Sequence, residues 1–364
     1  MTSGGKETVI PYGHQSVDHD DVDAVLEVLR GDWLTQGPRV GQFEADLVAA
    51  TGARFAVAFC NGTAALHAAC AAAGLGPGDT VATSTLSFVA SANCARYVGA
   101  EPVLVDVDPE TMNLDPALVP STVDALVAVH YAGLPLDLSS LPVRPAVVIE
   151  DAAHALGATT PDGPVGNCAH SEMTCFSFHP VKVITTGEGG AVTTNDAGLA
   201  ERLRSFRNHG MHRDPARGGW YYDVTELGYN FRLTDLQAAL GSSQLRRLEP
   251  FILRRNALAD RYRTLLGGTG VGLPPAATAG WRHAYHLFPL LVPDRRRVFD
   301  ALRAAGIGVQ VHYTPIHRLS LHRRDPGGFP GAERLAGHLL SIPIYPDLTD
   351  DQQDLVVAAV LDAL

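Results

Sequence analysis

The sequence predicts an α/β fold: a large unit with a mostly parallel sheet, followed by a smaller C-terminal α+β unit. Three observations point there. From about residue 55, short apolar runs alternate with helix-compatible segments rich in small residues. Those runs are close to continuously hydrophobic, as strands buried on both faces are. The alternation ends in a strongly helical stretch, and a different mixture of strand and helix patterns follows it. With 46% hydrophobic and 18% charged residues over 364 positions, the chain has material for a substantial core,.

The elements follow in order. VDHDDVDAVLEVLRG (17–31) reads as an amphipathic helix with an acidic first turn, where carboxylates complement the helix dipole,. RFAVAFC (54–60) is a strand, and NGTAALHAACAAAGL turns into a small-residue helix. TVATS (80–84), PVLVDV (102–107), ALVAVH (125–130) and AVVIEDA (146–152) are further strands, with FVASANCARYVGA as one intervening helix. MTCFSF (173–178) and GGAVTTN (189–195) complete the series. Residues 233–266 read as strongly helical, with Pro250 suggesting a kink or break near the centre,. HLFPLLVP, GVQVHY and the final helix TDDQQDLVVAAVLDAL make the smaller unit. The spacing places a large domain at 1–247, including the N-terminal helical segment, and a small domain at 248–364.

Composition excludes several function classes. A formal net charge of −11 offers no electrostatic reason to bind nucleic acid or an anionic membrane,. No uninterrupted apolar stretch reaches the roughly 18–20 residues that a bilayer requires. The N-terminus has no positive region leading into an apolar run, so no secretory signal is expected. Cys60, Cys70, Cys94, Cys168 and Cys175 are odd in number and form no C-x-x-C pair. Buried free thiols in a reducing cytoplasm are the expectation.

Of 28 basic residues, only Lys6 and Lys182 are lysines. Lys182 lies among apolar and small residues in SFHPVKVITTGEGG. A desolvated lysine can lose its proton and attack a carbonyl, which a guanidinium cannot. Lys182 is thus a candidate nucleophile, with a half-buried surface lysine as the plain alternative. In NGTAAL (61–66) a strand ends and a helix starts, so backbone amides and Thr63 suit a phosphate, or simply cap the helix,. Asp151 follows an apolar strand at the edge where open α/β sheets bind ligands,. It suits a protonated heterocycle nitrogen, a helix cap or a metal. His154, three residues on, would share its helical face. No His/Cys spacing recommends a metal site; His209, His212, His312, His317 and His322 lack a ligand motif,. A phosphate turn, an aspartate after a strand and a downstream lysine together suggest pyridoxal phosphate (PLP), which needs all three.

NGTAAL, EDAAHALGA, FSFHPVKVITTGEGGAVTTND, FRNHG and LGYNFRLTDLQAALGSSQL resemble the DegT/DnrJ/StrS family of nucleotide-sugar aminotransferases. The order and spacing of these segments hold over nearly the whole chain. FSFHPVK, ITTGEGG and HYTPIHRL look most like the pseudaminic-acid pathway C-4 aminotransferase branch. The resemblance implies PLP fold type I, aspartate-aminotransferase-like, as a homodimer with shared active sites. It implies that Lys182 carries PLP and later moves the proton, and that Asp151 binds the ring nitrogen. His154 lies beside the ring, where many relatives have glutamine. Phe88 would stack on the ring, with core packing as its alternative. By the same resemblance Thr63 and Ser177 would hold the phosphate, Ala64 would be a further cofactor contact, and Asn230 of the partner subunit would reach the phosphate. Tyr12, the segment Trp33, Leu34, Thr35 and Gln36, and also His312 and Tyr313, match regions that contact the sugar nucleotide.

The activity so implied moves an amino group from L-glutamate to the C-4 ketone of a UDP- or dTDP-linked 4-keto-6-deoxy sugar. Transfer to a C-3 ketone or a cyclitol ketone is the same-family alternative. Sugar dehydration in related proteins uses histidine in place of the lysine, so Lys182 argues against it. A non-catalytic PLP-binding regulatory module is the alternative from another class.

Overall fold

All seven apolar runs between residues 54 and 195 form strands of a single sheet. The computed structural model describes residues 9–364, so Lys6 lies outside the described residues. Helices α1 (His19–Arg30) and α2 (Pro38–Thr51) lead into β1 (Phe55–Phe59), α3 (Gly62–Ala72), β2 (Thr80–Ser84) and α4 (Ala90–Tyr97). Then come β3 (Glu101–Val105), β4 (Ala125–Val129), β5 (Val147–Asp151) and a minor hairpin of β6 (Thr159–Thr160) and β7 (Gly163–Pro164). β8 (Met173–Ser177), β9 (Gly190–Thr194) and α5 (Ala197–Arg207) follow, with a second hairpin of β10 (Met211–Arg213) and β11 (Tyr222–Val224). The chain ends with α6 (Asp235–Leu245), α7 (Leu248–Leu266), β12 (Phe288–Leu291), α8 (Arg295–Ala304), α9 (Pro330–Ala336), β13 (Leu339–Ile342) and α10 (Asp350–Asp362).

The sheet order is β1-β9-β8-β5-β4-β2-β3. β9 alone runs against the rest, antiparallel to both β8 and β1. That reversal matters for the site. Antiparallel neighbours need no crossover helix, so the β8–β9 connection is free to be a loop, and it carries Lys182.

Strand periodicity sorts the core. Val57 and Phe59 of β1 face α3, α4 and α5, together with Val127, Ile149 and Val192. Ala56 and Ala58 point the other way, toward Phe43 and Leu47 of α2 and Ala238 of α6. The sheet is thus covered on both faces, which explains its continuous hydrophobic runs. A second core forms where Leu258, Tyr262 and Leu266 of α7 meet Phe288, Leu302, Leu340 and Val356. Ile10 joins it from the other end of the chain.

The helical stretch 233–266 is broken near its centre into α6 and α7, as Pro250 suggested. Pro250 occupies the first turn of α7, where its missing N–H has no intrahelical role, and its ring excludes a helix passing through residue 246,. GVQVHY is not a strand: only Gln310 bridges to Ser341. The partner of β12 is β13, short and closely followed by Pro343. Among the described residues, no helix is long and apolar enough to cross a membrane.

Candidate active site

A cavity of about 490 Å³ opens at the C-terminal edge of the parallel strands, within the usual span for small-molecule sites. It brings together Tyr12, Thr63, Phe88, Asp151, His154, Ser177, Lys182, His312 and Tyr313. These residues come from seven separate segments of the chain.

One end is built for an anion. Asn61 caps α3 by accepting the Ala64 N–H at 2.8 Å. The amides of Gly62 and Thr63 have no partner inside the helix and lie at its positive end. Ser177, the last residue of β8, stands beside them. A Cβ on Gly62 would lie 2.9 Å from Ser177 Cβ, and one on Gly190 only 2.5 Å from the Asn61 carbonyl oxygen. The glycines let three segments converge on a cup lined by Thr63 and Ser177.

Asp151 closes β5 and is 7% exposed. Ser91 Oγ donates to its Oδ2 at 2.6 Å and the Ala153 amide to Oδ1 at 3.2 Å. Ser87 Oγ lies 2.8 Å from Ser91 Oγ. Since an ionised carboxylate only accepts, Ser91 donates to Asp151 and Ser87 donates to Ser91. Neither contact is an ion pair, which leaves the carboxylate open to a cationic ligand.

Lys182 follows a tight turn, its amide bonded to the His179 carbonyl at 2.8 Å. Burial pushes its amine down to about 8, against the opposing pull of Asp151. Burial, then the charge of Lys182, holds His154 well below the ordinary histidine range and His312 at about 3. Both rings are therefore neutral at physiological pH. His154 Nε2 lies 3.1 Å from Tyr313 Oη. Burial raises the Tyr313 phenol, with Tyr131, Asp151 and Tyr12 adding to the effect, so it stays a hydroxyl.

Phe88 is 56% exposed at the cavity, so core packing does not explain it. His154 lies in a turn after β5, not on a helix, so the expected shared helical face is corrected. Ala64 is buried outside the lining, and its amide is already occupied by Asn61. Trp33, Leu34, Thr35 and Gln36 also lie outside this chain's cavity. Their segment is tied to α6 through Asp235, which accepts the Gly37 and Arg39 amides at 2.8 Å, and Trp33 is 58% exposed. Asn230 is exposed and bridges to Asn208, away from the cavity.

Three contributors escaped the sequence reading. Ser91 holds Asp151, His286 lines the cavity, and Glu150 lies buried behind the sheet edge. Glu150 accepts from His130 Nε2 at 2.7 Å, Ser171 Oγ at 2.5 Å and Thr174 Oγ1 at 2.9 Å. The Leu136 amide donates to His130 Nδ1, which fixes the proton on Nε2,. His317 and His322 are structural, bonded to Thr85 and Glu333 and to Asn93. Among the described residues there is no cluster able to hold a metal ion, and all five cysteines are free.

An anion cup at one end, an unpaired buried carboxylate and an amine of lowered pKa fit PLP group by group. Comparison with known proteins agrees. The spore coat polysaccharide biosynthesis protein SpsC of Bacillus subtilis is 37% identical over 97% of this chain and 96% of its own length. The structure of Helicobacter pylori PseC, an aminotransferase involved in pseudaminic acid biosynthesis, matches with TM-score 0.91 and 30% identity, covering 98% of this chain and 99% of that one. A putative sugar aminotransferase of Streptococcus pneumoniae, Spr1654, in its PMP form, matches with TM-score 0.91 and 26% identity over 97% of this chain and 98% of its own. The DegT/DnrJ/EryC1/StrS aminotransferase family matches residues 15–361. With that extent of match, and a cavity that fits the cofactor, the chain belongs to this family and is a PLP-dependent sugar aminotransferase of fold type I.

Proposed function

We propose that the enzyme transfers the amino group of L-glutamate to the C-4 ketone of a nucleotide-linked 4-keto-6-deoxy sugar. The observation that carries the reading is Lys182, lowered to about 8, in one cavity with Asp151 and the anion cup. The C-4 assignment rests on WLTQGP, FSFHPVK and HYTPIHRL and on the similarity to PseC.

When bound, PLP supplies an electron sink for the reacting carbon. The residues of the chain do the rest. Gly62 and Thr63 amides, the Thr63 hydroxyl and Ser177 would hold the phosphate. Asp151, oriented by Ser91, would hold the ring nitrogen protonated. Phe88 and His154 would lie beside the ring. Lys182 would carry the cofactor, and its Nζ would take and return a proton, a task suited to an amine whose pKa lies near the working pH. Tyr12, His312 and Tyr313 orient the sugar.

The site is completed, in this proposal, by a second copy of the chain. Trp33, Leu34 and Trp220 expose large apolar faces, and Asn230 projects outward rather than into its own cavity. A homodimer would cover those faces and bring Asn230 of the partner subunit to the phosphate, and the Trp33–Gln36 segment to the sugar nucleotide. The break between α6 and α7 supports a division near residue 247 into a cofactor-binding domain and a smaller one. The free thiols support a cytoplasmic setting.

The test is NMR of the product formed from L-glutamate and UDP- or dTDP-linked 4-keto-6-deoxyhexoses. An amine at C-4 is the expected result. An amine at C-3, or turnover only with a free cyclitol ketone, would overturn the assignment.

A further inference from the structure

We propose that His286 is a specificity residue, a neutral hydrogen-bond donor to an oxygen of the amine-accepting sugar; this rests on the sugar aminotransferase reading above. His286 lines the cavity, its ring centroid 4.4 Å from that of His154. The ring has no hydrogen-bond partner among the described residues, and its Nδ1 is fully buried. The ring lines the cavity, and of its two nitrogens only Nδ1 is fully buried without a partner.

The backbone works to put it there. Tyr285, just before it, has φ of +44°, a conformation unusual for a bulky residue,. Local structure over-determines that turn, as strained positions require. The Tyr285 ring stacks on His283 at 3.8 Å, and its amide donates to His283 Nδ1 at 2.8 Å. The buried Arg255 donates to the Tyr285 carbonyl at 3.1 Å and to the Ile344 carbonyl at 3.0 Å. Gly133 packs so close that a Cβ there would lie 3.1 Å from the Tyr285 amide nitrogen.

The orphan atoms decide the tautomers. His154 Nδ1 is buried and unpartnered like that of His286. A buried unpaired acceptor is tolerated better than a buried unpaired N–H, so both rings carry their proton on Nε2. His154 then donates to Tyr313 Oη, which frees the phenol proton for the cavity. His286 Nε2–H is the second donor. Burial above all, with the Lys182 amine adding to it, holds the ring well below the ordinary histidine range and so neutral. A neutral donor matches a ketone or hydroxyl oxygen of a sugar. It contributes no charge to hold the carboxylates of glutamate.

The experiment compares holoenzymes of the wild type, His286→Phe and His286→Asn. Each is assayed for the rate of its half-reaction with L-glutamate and for KM and kcat with a UDP-linked 4-keto-6-deoxyhexose. Phenylalanine keeps a flat ring and removes the donor; asparagine keeps a donor in a smaller side chain, so one variant remains informative if the other misfolds. His286→Phe should raise the acceptor KM by about 5- to 100-fold, the range for an unmet polar group in a desolvated site. The glutamate half-reaction should stay within about twofold, and His286→Asn should recover part of the loss. An unchanged acceptor KM, or equal damage to both half-reactions, overturns the inference. A wild-type enzyme that reacts with glutamate but aminates no sugar nucleotide overturns the acceptor reading as well.

Discussion

Asp151→Asn isolates the charge of one buried carboxylate with little change of shape. The amide oxygen can keep the Ala153 N–H. The amide nitrogen then faces Ser91 Oγ, which reverses from donor to acceptor and donates instead to the Phe88 carbonyl, 3.2 Å away. The fold should survive within about 1 kcal/mol, since each lost bond is replaced. What disappears is a charge-assisted hydrogen bond to the cofactor, worth about 1.5–3 kcal/mol in a buried setting. At about 1.4 kcal/mol per decade, cofactor affinity should fall by about 10- to 150-fold. Turnover should fall further, by at least about 100-fold, because stabilisation of developing charge is lost at the reacting centre. Ser91→Ala keeps the charge and removes only its 2.6 Å donor, so it should lie between wild type and Asp151→Asn. Fluorescence titration of the cofactor, turnover with saturating cofactor and thermal unfolding separate the three effects. Near-normal turnover of a folded, saturated Asp151→Asn enzyme would refute the role.

Borohydride should trap the cofactor on the peptide bearing Lys182; label on Lys6 would sink the assignment. Cofactor attachment needs the neutral amine, so its rate in cofactor-free protein should rise with pH and level off above about 8. Because the folded value lies below the ordinary 10.5, the unfolded chain binds more proton between the two, and cofactor-free protein should gain stability as pH rises through that window,; a flat or falling profile in denaturant titrations contradicts this. Glu150→Ala strands His130, Ser171 and Thr174 and should cost about 3 kcal/mol or more in stability, with a loss below about 1 kcal/mol counting against the network. Burial alone would raise the Glu150 carboxyl, but His130, Ser171 and Thr174 bring it below its ordinary value. Its contribution is therefore lost as pH falls through that lowered value, and Glu150→Ala should flatten the acid limb of the stability profile. Mixed Lys182→Ala and Asn230→Ala proteins should regain activity through hybrid dimers that hold one intact site, and a fully active monomer on sedimentation would refute the shared site.

What was legible in the sequence was whatever depended on neighbours along the chain. The sheet strands declare themselves through short apolar runs, and Asp151, Ser177 and the Asn61–Thr63 turn can be read because strand ends in an α/β sheet converge on one edge,. The single lysine of the β8–β9 connection stood out against a background of arginine. Ser91, His286 and Glu150 stayed hidden for the converse reason. Ser91 lies 60 residues from the carboxylate it orients, inside a stretch whose pattern says only helix. Glu150 looked like the polar end of a strand, and its partner His130 is 20 residues away on the neighbouring one. His286 sits in HAYHL, where nothing local reveals that Tyr285 adopts positive φ or that Arg255 pins the turn from 30 residues upstream. The three share a physical character: each is a polar group whose meaning is a partner brought near by packing. The residues outside the cavity extend the point one level up. Trp33 and Asn230 were singled out by resemblance alone and face solvent in this chain, so their proposed roles depend on the dimer proposed above.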